Sequence, residues 1–482
     1  MNFKTDPSKT ITSALCLLSA LLAAVSCSSQ KEEESSLSGV SVDDSLASGD
    51  DLLLGLGAKF DDDNAIFDDF SGGVDPSLWT IGDGAWGSGN GGVVPGNVSY
   101  TDDGVLILRG NGLYYSGSDI SGVGTLKDGR NTGAALISKF RTRPGRYQIK
   151  MKVLPRLGSC TAFWTYANRS TESGINDNHE IDIELPGGKS TSVISFKNVL
   201  NTNYVTEQYN ISEDVDVSSL REDSPASLND GQFHVFGFDW YTDPEVIVYY
   251  VDGVVTAVNR EFVPNMETRL WVGNWFPNNA GFVGQSNFET DYMYVDWIQY
   301  RPFLDQPYEA HDAAVTVSGA SLSDYPSSPV SYPVVDKIAN GDFEYLSSRS
   351  EDGYGWRYST IGEAEGESDY SRGGDYGQNG SYGAEISGLG YLEQNIDSVY
   401  DGFRHSLSFQ AKGKGGYAEV AFLGSYASNE IETVRIDLDS DEWKTYSKEL
   451  TAPEGTYSMR LRFFASNHLI DIDNVSLVRE AN

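Results

Sequence analysis

Apolar and polar residues alternate along much of the chain, and this pattern predicts many short β-strands. Clear examples occupy residues 104–109, 147–153, 234–240 and 246–251. The last of them runs into Asp252-Gly253, which is typical of a hairpin turn because glycine tolerates positive φ. Long helical periodicity is missing from residues 60–303. The pattern therefore predicts two stacked antiparallel sheets in this block.

A second strand-rich block follows the first, and a segment containing proline and serine separates them. The first block covers residues 60–303, the separating segment 304–333 and the second block 334–482. Proline and serine without apolar periodicity predict a linker. The chain is therefore expected to be all-β, with one β-sandwich followed by a second, smaller one.

Charge and cysteine content narrow the possible partners. The 482 residues include 34 Lys and Arg against 70 Asp and Glu, which gives a formal net charge of −36. Such a chain repels the phosphate backbone, so we predict that it does not bind nucleic acid. With only three cysteines, Cys16, Cys27 and Cys160, no disulfide framework is expected. We expect a monomer.

The N-terminal residues predict an export signal. An apolar run at 11–25 follows Lys4 and Lys9, and it is shorter than the about 20 residues that span a bilayer. It ends in Ala-Ala-Val-Ser-Cys27, which resembles the lipobox of bacterial lipoproteins. The resemblance implies a signal peptide over residues 1–26 and a lipid anchor to the membrane at Cys27. The alternative is an ordinary cleaved signal with a chance cysteine.

Residues 27–59 are acidic and rich in serine and glycine, which predicts a disordered tether. Its Lys31-Glu-Glu-Glu34 run resembles the surface-export signal of Bacteroidetes lipoproteins. That resemblance implies an outer-membrane lipoprotein on the cell surface of a Gram-negative bacterium. The alternative is a run of acids that merely keeps the tether solvated.

The most informative segment is His179-Glu-Ile-Asp-Ile-Glu-Leu-Pro-Gly187. Side chains alternate along a strand, so Glu180, Asp182 and Glu184 share one face and the isoleucines the other. Three like charges in a row repel one another, although a solvated acidic surface strand remains the alternative. On a concave sheet the two glutamates could bring their carboxyl groups to about 5–5.5 Å, the separation expected of a retaining glycosidase. Asp182 between them would help keep one glutamate protonated.

Aromatic residues in the same block fit a sugar-binding cleft. Aromatic faces stack on the apolar faces of sugar rings, and the candidates are Trp164, Tyr166, Trp240, Trp271 and Trp275. Packing in the core is the alternative for each of them.

Several ordered segments together resemble the family-16 glycoside hydrolases. They are the Glu-x-Asp-x-Glu strand and residues 69–79, 134–139, 146–152, 162–164, 233–240, 250–253 and 294–300. The resemblance implies a concanavalin-like β-jelly-roll over most of residues 60–303. It also implies cleavage of a β-linked polysaccharide without a catalytic cofactor.

Carried over by position, the resemblance assigns a role to each carboxylate. Glu180 matches the nucleophile, Glu184 the general acid/base and Asp182 the carboxylate that orients them. The implied mechanism is a double displacement that retains the β configuration. The same carboxylates would serve a transglycosylase, and a non-catalytic surface glycan-binding protein is the alternative from another class.

No extra residue separates Asp182 from Glu184, so the strand needs no β-bulge. This unbulged form of the motif resembles that of lichenases and xyloglucan-active members of the family. Residues 195–198 and 273–275 resemble cleft strands of lichenases, while His179 and Leu185-Pro186 depart from them. The favoured substrate is mixed-linkage β-1,3-1,4-glucan, ahead of β-1,3-glucan, xyloglucan and galactan. The substrate contacts expected from this comparison are Trp164, Tyr166, Asn198, Asn274 and Trp275.

Two structural Ca²⁺ sites are also expected. Asp296 in Val-Asp-Trp matches a calcium ligand of similar enzymes. The second block, which opens with Asn340-Gly-Asp-Phe-Glu344, resembles carbohydrate-binding modules of families 4 and 22. Glu344 and Asp473 would hold Ca²⁺ there, and Trp356, Tyr358 and Tyr382 would contact sugar or pack in the core.

Overall fold

The computed structural model describes most of the two predicted blocks. The described residues are 58–84, 92–115, 117, 131–170, 176–189, 192–201, 209–220, 227–311, 319–344, 355–361, 368–424 and 429–480. The predicted signal peptide, Cys27 and nearly all of the predicted tether lie outside them. Within these residues, no helix is long and apolar enough to cross a membrane.

Strands account for most of the described chain. In the first block they are β1 (Ile66–Asp68), β2 (Trp79–Ile81), β3 (Val98–Tyr100), β4 (Leu106–Asn111), β5 (Ala134–Ser138), β6 (Gly145–Lys152), β7 (Cys160–Ser170), β8 (Asn176–Pro186), β9 (Val193–Asn201), β10 (Asn210–Asp216), β11 (His234–Thr242), β12 (Glu245–Val251), β13 (Val254–Asn259), β14 (Arg269–Trp275) and β15 (Thr290–Pro302). In the second block they are β16 (Val335–Asp336), β17 (Arg357–Thr360), β18 (Tyr370–Gly373), β19 (Gly383–Gly388), β20 (Gly390–Asp397), β21 (Arg404–Lys412), β22 (Tyr417–Leu423), β23 (Glu430–Asp437), β24 (Lys444–Thr451), β25 (Ser458–Phe464) and β26 (His468–Arg479). The helices are short: α1 (Ala280–Val283) and 3₁₀ turns at Asp62–Asn64, Pro95–Asn97, Val217–Ser219, Leu322–Asp324 and Gln378–Gly380.

Two antiparallel sheets form the first sandwich. One sheet has the order β13-β12-β11-β6-β15-β4-β3, with β1 added beside β15, and the other has the order β10-β9-β8-β7-β14-β5-β2. The inward residues of both sheets are apolar and fully buried, as period-two alternation requires. Ile181 and Ile183 of β8 belong to the same buried core as Phe238 and Tyr249 of the opposite sheet. Strand β8 therefore lies centrally in its sheet and presents its other face outward.

A second, smaller sandwich follows, with sheets β18-β19-β26-β21-β24 (β16 beside β26) and β17-β20-β25-β22-β23. The predicted all-β class, with a jelly-roll sandwich followed by a smaller β-sandwich, is confirmed. Trp356 is buried in the core of the second sandwich, and its indole Nε1–H donates to the Asn340 carbonyl. Of the two alternatives for Trp356, core packing is the one observed.

The segment between the two sandwiches runs along the first of them where it is described. The Tyr325 hydroxyl donates to the Trp79 carbonyl at 2.8 Å, and the Val330 amide donates to the Tyr100 carbonyl at 2.8 Å. The Tyr332 hydroxyl reaches Asp103 at 3.1 Å. These contacts fix the path of residues 325–332 on the surface of the first sandwich.

Candidate active site

The three predicted carboxylates lie on the outward face of β8. Register with β7 places Glu180 opposite Tyr166, Asp182 opposite Trp164 and Glu184 opposite Ala162. Directly paired residues of antiparallel strands point to the same side of the sheet, so these acids and the aromatic rings share one face. The intervening isoleucines of β8 are fully buried on the other side.

Aromatic rings form a wall beside the carboxylates, which we call the aromatic wall (Trp164, Tyr166, Trp271 and Trp275). The rings of Trp164 and Trp271 stack with centroids 5.6 Å apart, and Tyr166 meets Trp271 edge-on at 6.0 Å. Tyr166 and Trp275 are only partly buried. Their exposed parts present apolar surface next to the carboxylates.

Polar neighbours hold the carboxylates in place. The Asn178 amide donates to Glu180 Oε2 at 3.2 Å, and the Cys160 thiol donates to Glu184 Oε1 at 3.7 Å. Lys197 of β9 pairs in register with Asp182, so its ammonium group lies on the same face. The outward face of the sheet therefore places the Lys197 side chain next to the three acidic side chains.

The environment favours the protonated form of two of these acids. Burial raises the pKa of Glu184 to about 7, while Lys197 opposes the rise and Glu180 adds to it. Burial also raises the pKa of Asp182 well above its usual range, and the charge on Glu180 adds to that effect. A carboxyl group with a pKa near 7 can give up a proton and take one back at neutral pH.

This pKa predicts the pH dependence of any reaction that uses Glu184 as an acid. As pH rises through about 7, Glu184 loses the proton that it must donate, so kcat/KM should fall. Replacing Lys197 by Met removes the positive charge that lowers this pKa, and the falling limb should move to higher pH. The matched control is Lys189→Met, because Lys189 pairs with Asp214 of β10, two strands from Glu184. An unmoved limb in the Lys197 variant would contradict the assignment of Glu184.

Two predicted substrate contacts face away from the cleft, and the structure corrects both. Asn198 pairs in register with Ile181 and is fully buried; its amide donates to the carbonyls of Glu261 and Phe262. Asn274 is also fully buried, and its amide donates to the Leu108 carbonyl in the opposite sheet. Both asparagines are one residue away in sequence from a cleft-facing position.

Trp240 and Asp296, predicted as an aromatic sugar contact and a calcium ligand, are also engaged in other contacts. Trp240 is fully buried in the core, where its indole Nε1–H donates to the Pro264 carbonyl at 2.6 Å. Asp296 pairs with the ammonium group of Lys150 at 2.6 Å. A Lys150 ammonium group this close neutralises the carboxylate that a Ca²⁺ ion would need.

Glu344 and Asp473 brace one turn of the second sandwich. The Tyr382 amide donates to Glu344 at 2.8 Å, and the Gln378 amide donates to Asp473 at 2.9 Å. The Ser381 hydroxyl also donates to Asp473, at 2.7 Å. Within the described residues, no three His, Cys, Asp or Glu side chains are grouped to hold a metal ion. Calcium binding here stays a prediction.

Sequence reasoning missed two residues of the site, Cys160 and Lys197. Cys160 shares the parity of Ala162 and Trp164 on β7, and this signal was available because side chains alternate along the strand. Lys197 also had a signal, because the apolar Ile194 and Phe196 of the same strand are buried and alternation places Asn198 on their side and Lys197 on the other.

An open sheet face that combines clustered carboxylates with aromatic rings is the kind of site found in proteins that cleave carbohydrates. The profile of the glycosyl hydrolases of family 16 matches residues 97–299, which include all three carboxylates. The matched residues lie within the first sandwich.

Two curated proteins similar to this chain are β-glucanases of Acetivibrio thermocellus. One is 26% identical over 174 residues, covering 33% of this chain and 45% of the relative. The other is 27% identical over 164 residues, covering 32% and 42%. The chain thus spans less than half the length of these curated relatives.

Solved structures similar to part of the chain include the Bacillus licheniformis β-glucanase. It is 21% identical, with a TM-score of 0.39, and the match covers 49% of this chain and 97% of that one. Another is the catalytic domain of an endo-1,3-β-glucanase (laminarinase) from Thermotoga petrophila RKU-1. It is 19% identical, with a TM-score of 0.39, and the match covers 52% of this chain and 100% of that one.

Proposed function

We propose that this protein is a retaining endo-β-glycanase that hydrolyses a β-linked polysaccharide by double displacement. The observation that carries the proposal is the shared outward face of Glu180, Asp182 and Glu184 beside the aromatic wall. Mixed-linkage β-1,3-1,4-glucan is the favoured substrate because the motif is unbulged and the curated relatives are named β-glucanases. β-1,3-Glucan, xyloglucan and galactan follow.

In the first step, Glu184 donates its proton to the departing glycosidic oxygen while a Glu180 oxygen bonds to the anomeric carbon. In the second step, Glu184 takes a proton from water, and the water oxygen displaces Glu180. Two inversions leave the β configuration unchanged. Burial raises the pKa of Asp182, which favours its protonated form, and in that form it donates a hydrogen bond to Glu180 and orients it.

The location proposed for this activity follows from the N-terminal sequence. Cleavage before Cys27 and lipidation of that residue would anchor the protein to the outer membrane, with residues 27–59 as a tether toward the cell surface. Metabolic labelling with a fatty acid tests this, because a Cys27→Ser variant should lose the label. Label that persists in the variant would contradict the anchor.

A panel of purified polysaccharides tests the proposed reaction on the full chain. We expect β-linked oligosaccharides from at least one β-glucan by mass spectrometry, with the β anomer appearing first by NMR. Products longer than the substrate would show that transfer to sugar dominates over hydrolysis. Binding of glycan without any product would overturn the enzymatic proposal and leave a glycan-binding protein.

A further inference from the structure

The second sandwich contacts the first at a loop that leads into the candidate active site. The described residues of both sandwiches belong to one compact unit, and within it the end of β20 meets the loop between β6 and β7. Asp397 accepts a hydrogen bond from the Leu157 amide at 3.0 Å and pairs with Arg156 at 2.8 Å. The Ser398 hydroxyl donates to the Pro155 carbonyl at 3.2 Å. Three consecutive residues of the loop are therefore tied to the second sandwich.

The contact is a largely buried ionic cluster. The Arg156 side chain is only 2% exposed, and it pairs with Asp291 of β15 at 3.2 Å as well as with Asp397. Lys337 is fully buried and lies 3.5 Å from Asp291, which Arg479 approaches at 3.6 Å. Removing one member of such a cluster leaves an uncompensated buried charge, so its geometry tolerates little movement.

The same loop packs directly against the strands that carry the catalytic candidates. The Arg156 carbonyl accepts hydrogen bonds from the Ser159 amide at 2.9 Å and the Ser159 hydroxyl at 2.7 Å. The Ser159 carbonyl in turn accepts from the Gly187 amide at 2.9 Å. A Cβ atom on Gly187 would lie 1.9 Å from the Arg156 carbonyl oxygen, so only glycine fits this approach. Gly187 follows Glu184 by three residues.

Ser159 also precedes Cys160, whose thiol contacts the proposed acid/base. Cys160 is fully buried and its sulfur lies 3.7 Å from Glu184 Oε1. A short covalent and hydrogen-bonded route thus joins Asp397 to Glu184 through Arg156, Ser159 and Cys160. A shift of the loop would move the thiol and the end of β8 together.

We propose that Asp397 and Ser398 are positioning residues, which hold the 155–159 loop so that Cys160 and Glu184 keep their mutual geometry. The second sandwich is then a fixed part of the catalytic unit, whatever it binds itself. The effect on catalysis rests on the proposed function, whereas the holding of the loop does not.

A second sandwich that holds the loop and one that only gathers polymer should affect kcat and KM differently. A polymer-gathering module raises the local substrate concentration, so its loss raises KM on polysaccharide and spares short soluble substrates. Loss of positioning lowers kcat on short substrates as well, because a displacement of about 1 Å can cost about a hundredfold in rate. A short aryl β-gluco-oligosaccharide is therefore the informative substrate.

The experiment compares Asp397→Ala with Asp437→Ala in the full chain. Both aspartates are the last residue of a strand in the same sheet, but Asp437 is exposed and pairs only with Arg435 among the described contacts. In Asp397→Ala we expect kcat on the aryl oligosaccharide to fall about tenfold or more, with little change in KM. In Asp437→Ala both constants should stay within about twofold of the wild type.

Alkylation of Cys160 provides a readout that does not need activity. A fully buried thiol reacts slowly with iodoacetamide, and a loosened loop exposes it. Mass spectrometry of the Cys160 peptide should show labelling about tenfold faster in Asp397→Ala and unchanged in Asp437→Ala. Ser398→Ala removes one hydroxyl and serves as the gentler variant if Asp397→Ala does not fold, with the same direction expected.

A folded Asp397 or Ser398 variant with wild-type kcat and wild-type labelling would overturn the inference. Faster labelling with unchanged kcat would also overturn it, because the loop would then move without affecting Glu184. A wild-type protein that cleaves no polysaccharide would refute the proposed function, and the labelling rates would still decide whether the second sandwich holds the loop.

Discussion

Replacing Glu180 by Gln should abolish polysaccharide hydrolysis, with kcat reduced by about a thousandfold or more. Glutamine keeps the size of the side chain, and its carbonyl oxygen can still accept the hydrogen bond from Asn178. An amide cannot form the glycosyl-enzyme bond that the proposed mechanism requires. Polymer binding should change little, because the aromatic wall remains, and affinity electrophoresis on the polysaccharide measures it.

Glu213→Gln is the matched control for that experiment. Glu213 lies on β10 at the edge of the same sheet and is exposed, so the substitution removes a negative charge of the same kind away from the three acids. Its kcat should stay within about twofold of the wild type. Near wild-type turnover in the Glu180 variant would show that another group attacks the anomeric carbon.

The sequence predicts that Glu180, Asp182 and Glu184 share one outward face, because this follows from alternation along a single strand. The period of a strand is two, and Ile181 and Ile183 between the acids are apolar residues that seek the core. No knowledge of the neighbouring strands is needed to place the acids together. The same reasoning puts His179 on the inner side, where it is buried.

The predictions that Asn198 and Asn274 face the cleft are wrong. The resemblance of a segment to a cleft strand does not say which of two adjacent residues faces the cleft, and a shift of one residue reverses every side chain. On β9, Asn198 shares the inner side with the apolar Phe196, whereas Lys197 faces the carboxylates. In residues 273–275, Asn274 and Trp275 cannot both face the cleft in a regular strand.

The contact between the two sandwiches could not be predicted at all. Arg156 and Asp397 are far apart in the sequence. Nothing in the sequence around either residue distinguishes it from an ordinary charged residue next to a turn. Only the packing of the two sandwiches brings them to 2.8 Å and buries most of the pair. Cys160 is an intermediate case, since its side of β7 follows from alternation but its distance from Glu184 depends on the β7–β8 register.

Replacing Glu184 by Ala should leave an enzyme that azide can partly restore. Alanine removes both the proton donor and the base, so kcat on polysaccharide should fall by about a thousandfold. The space left by the carboxyl group admits a small anion, and azide needs no base to attack the glycosyl-enzyme. With an activated aryl oligosaccharide, azide should therefore raise kcat about tenfold or more and yield a β-glycosyl azide.

The pH profile of the same variant distinguishes a lost acid/base from a disturbed cleft. Glu184 has a pKa raised to about 7, so its removal should eliminate the fall of kcat/KM above that pH as well as lower the rate. Glu213→Ala in the same azide series should show neither rescue nor a changed profile. Absence of the β-glycosyl azide would remove Glu184 from the acid/base role, and an α-glycosyl azide would indicate direct attack on the substrate from the opposite face.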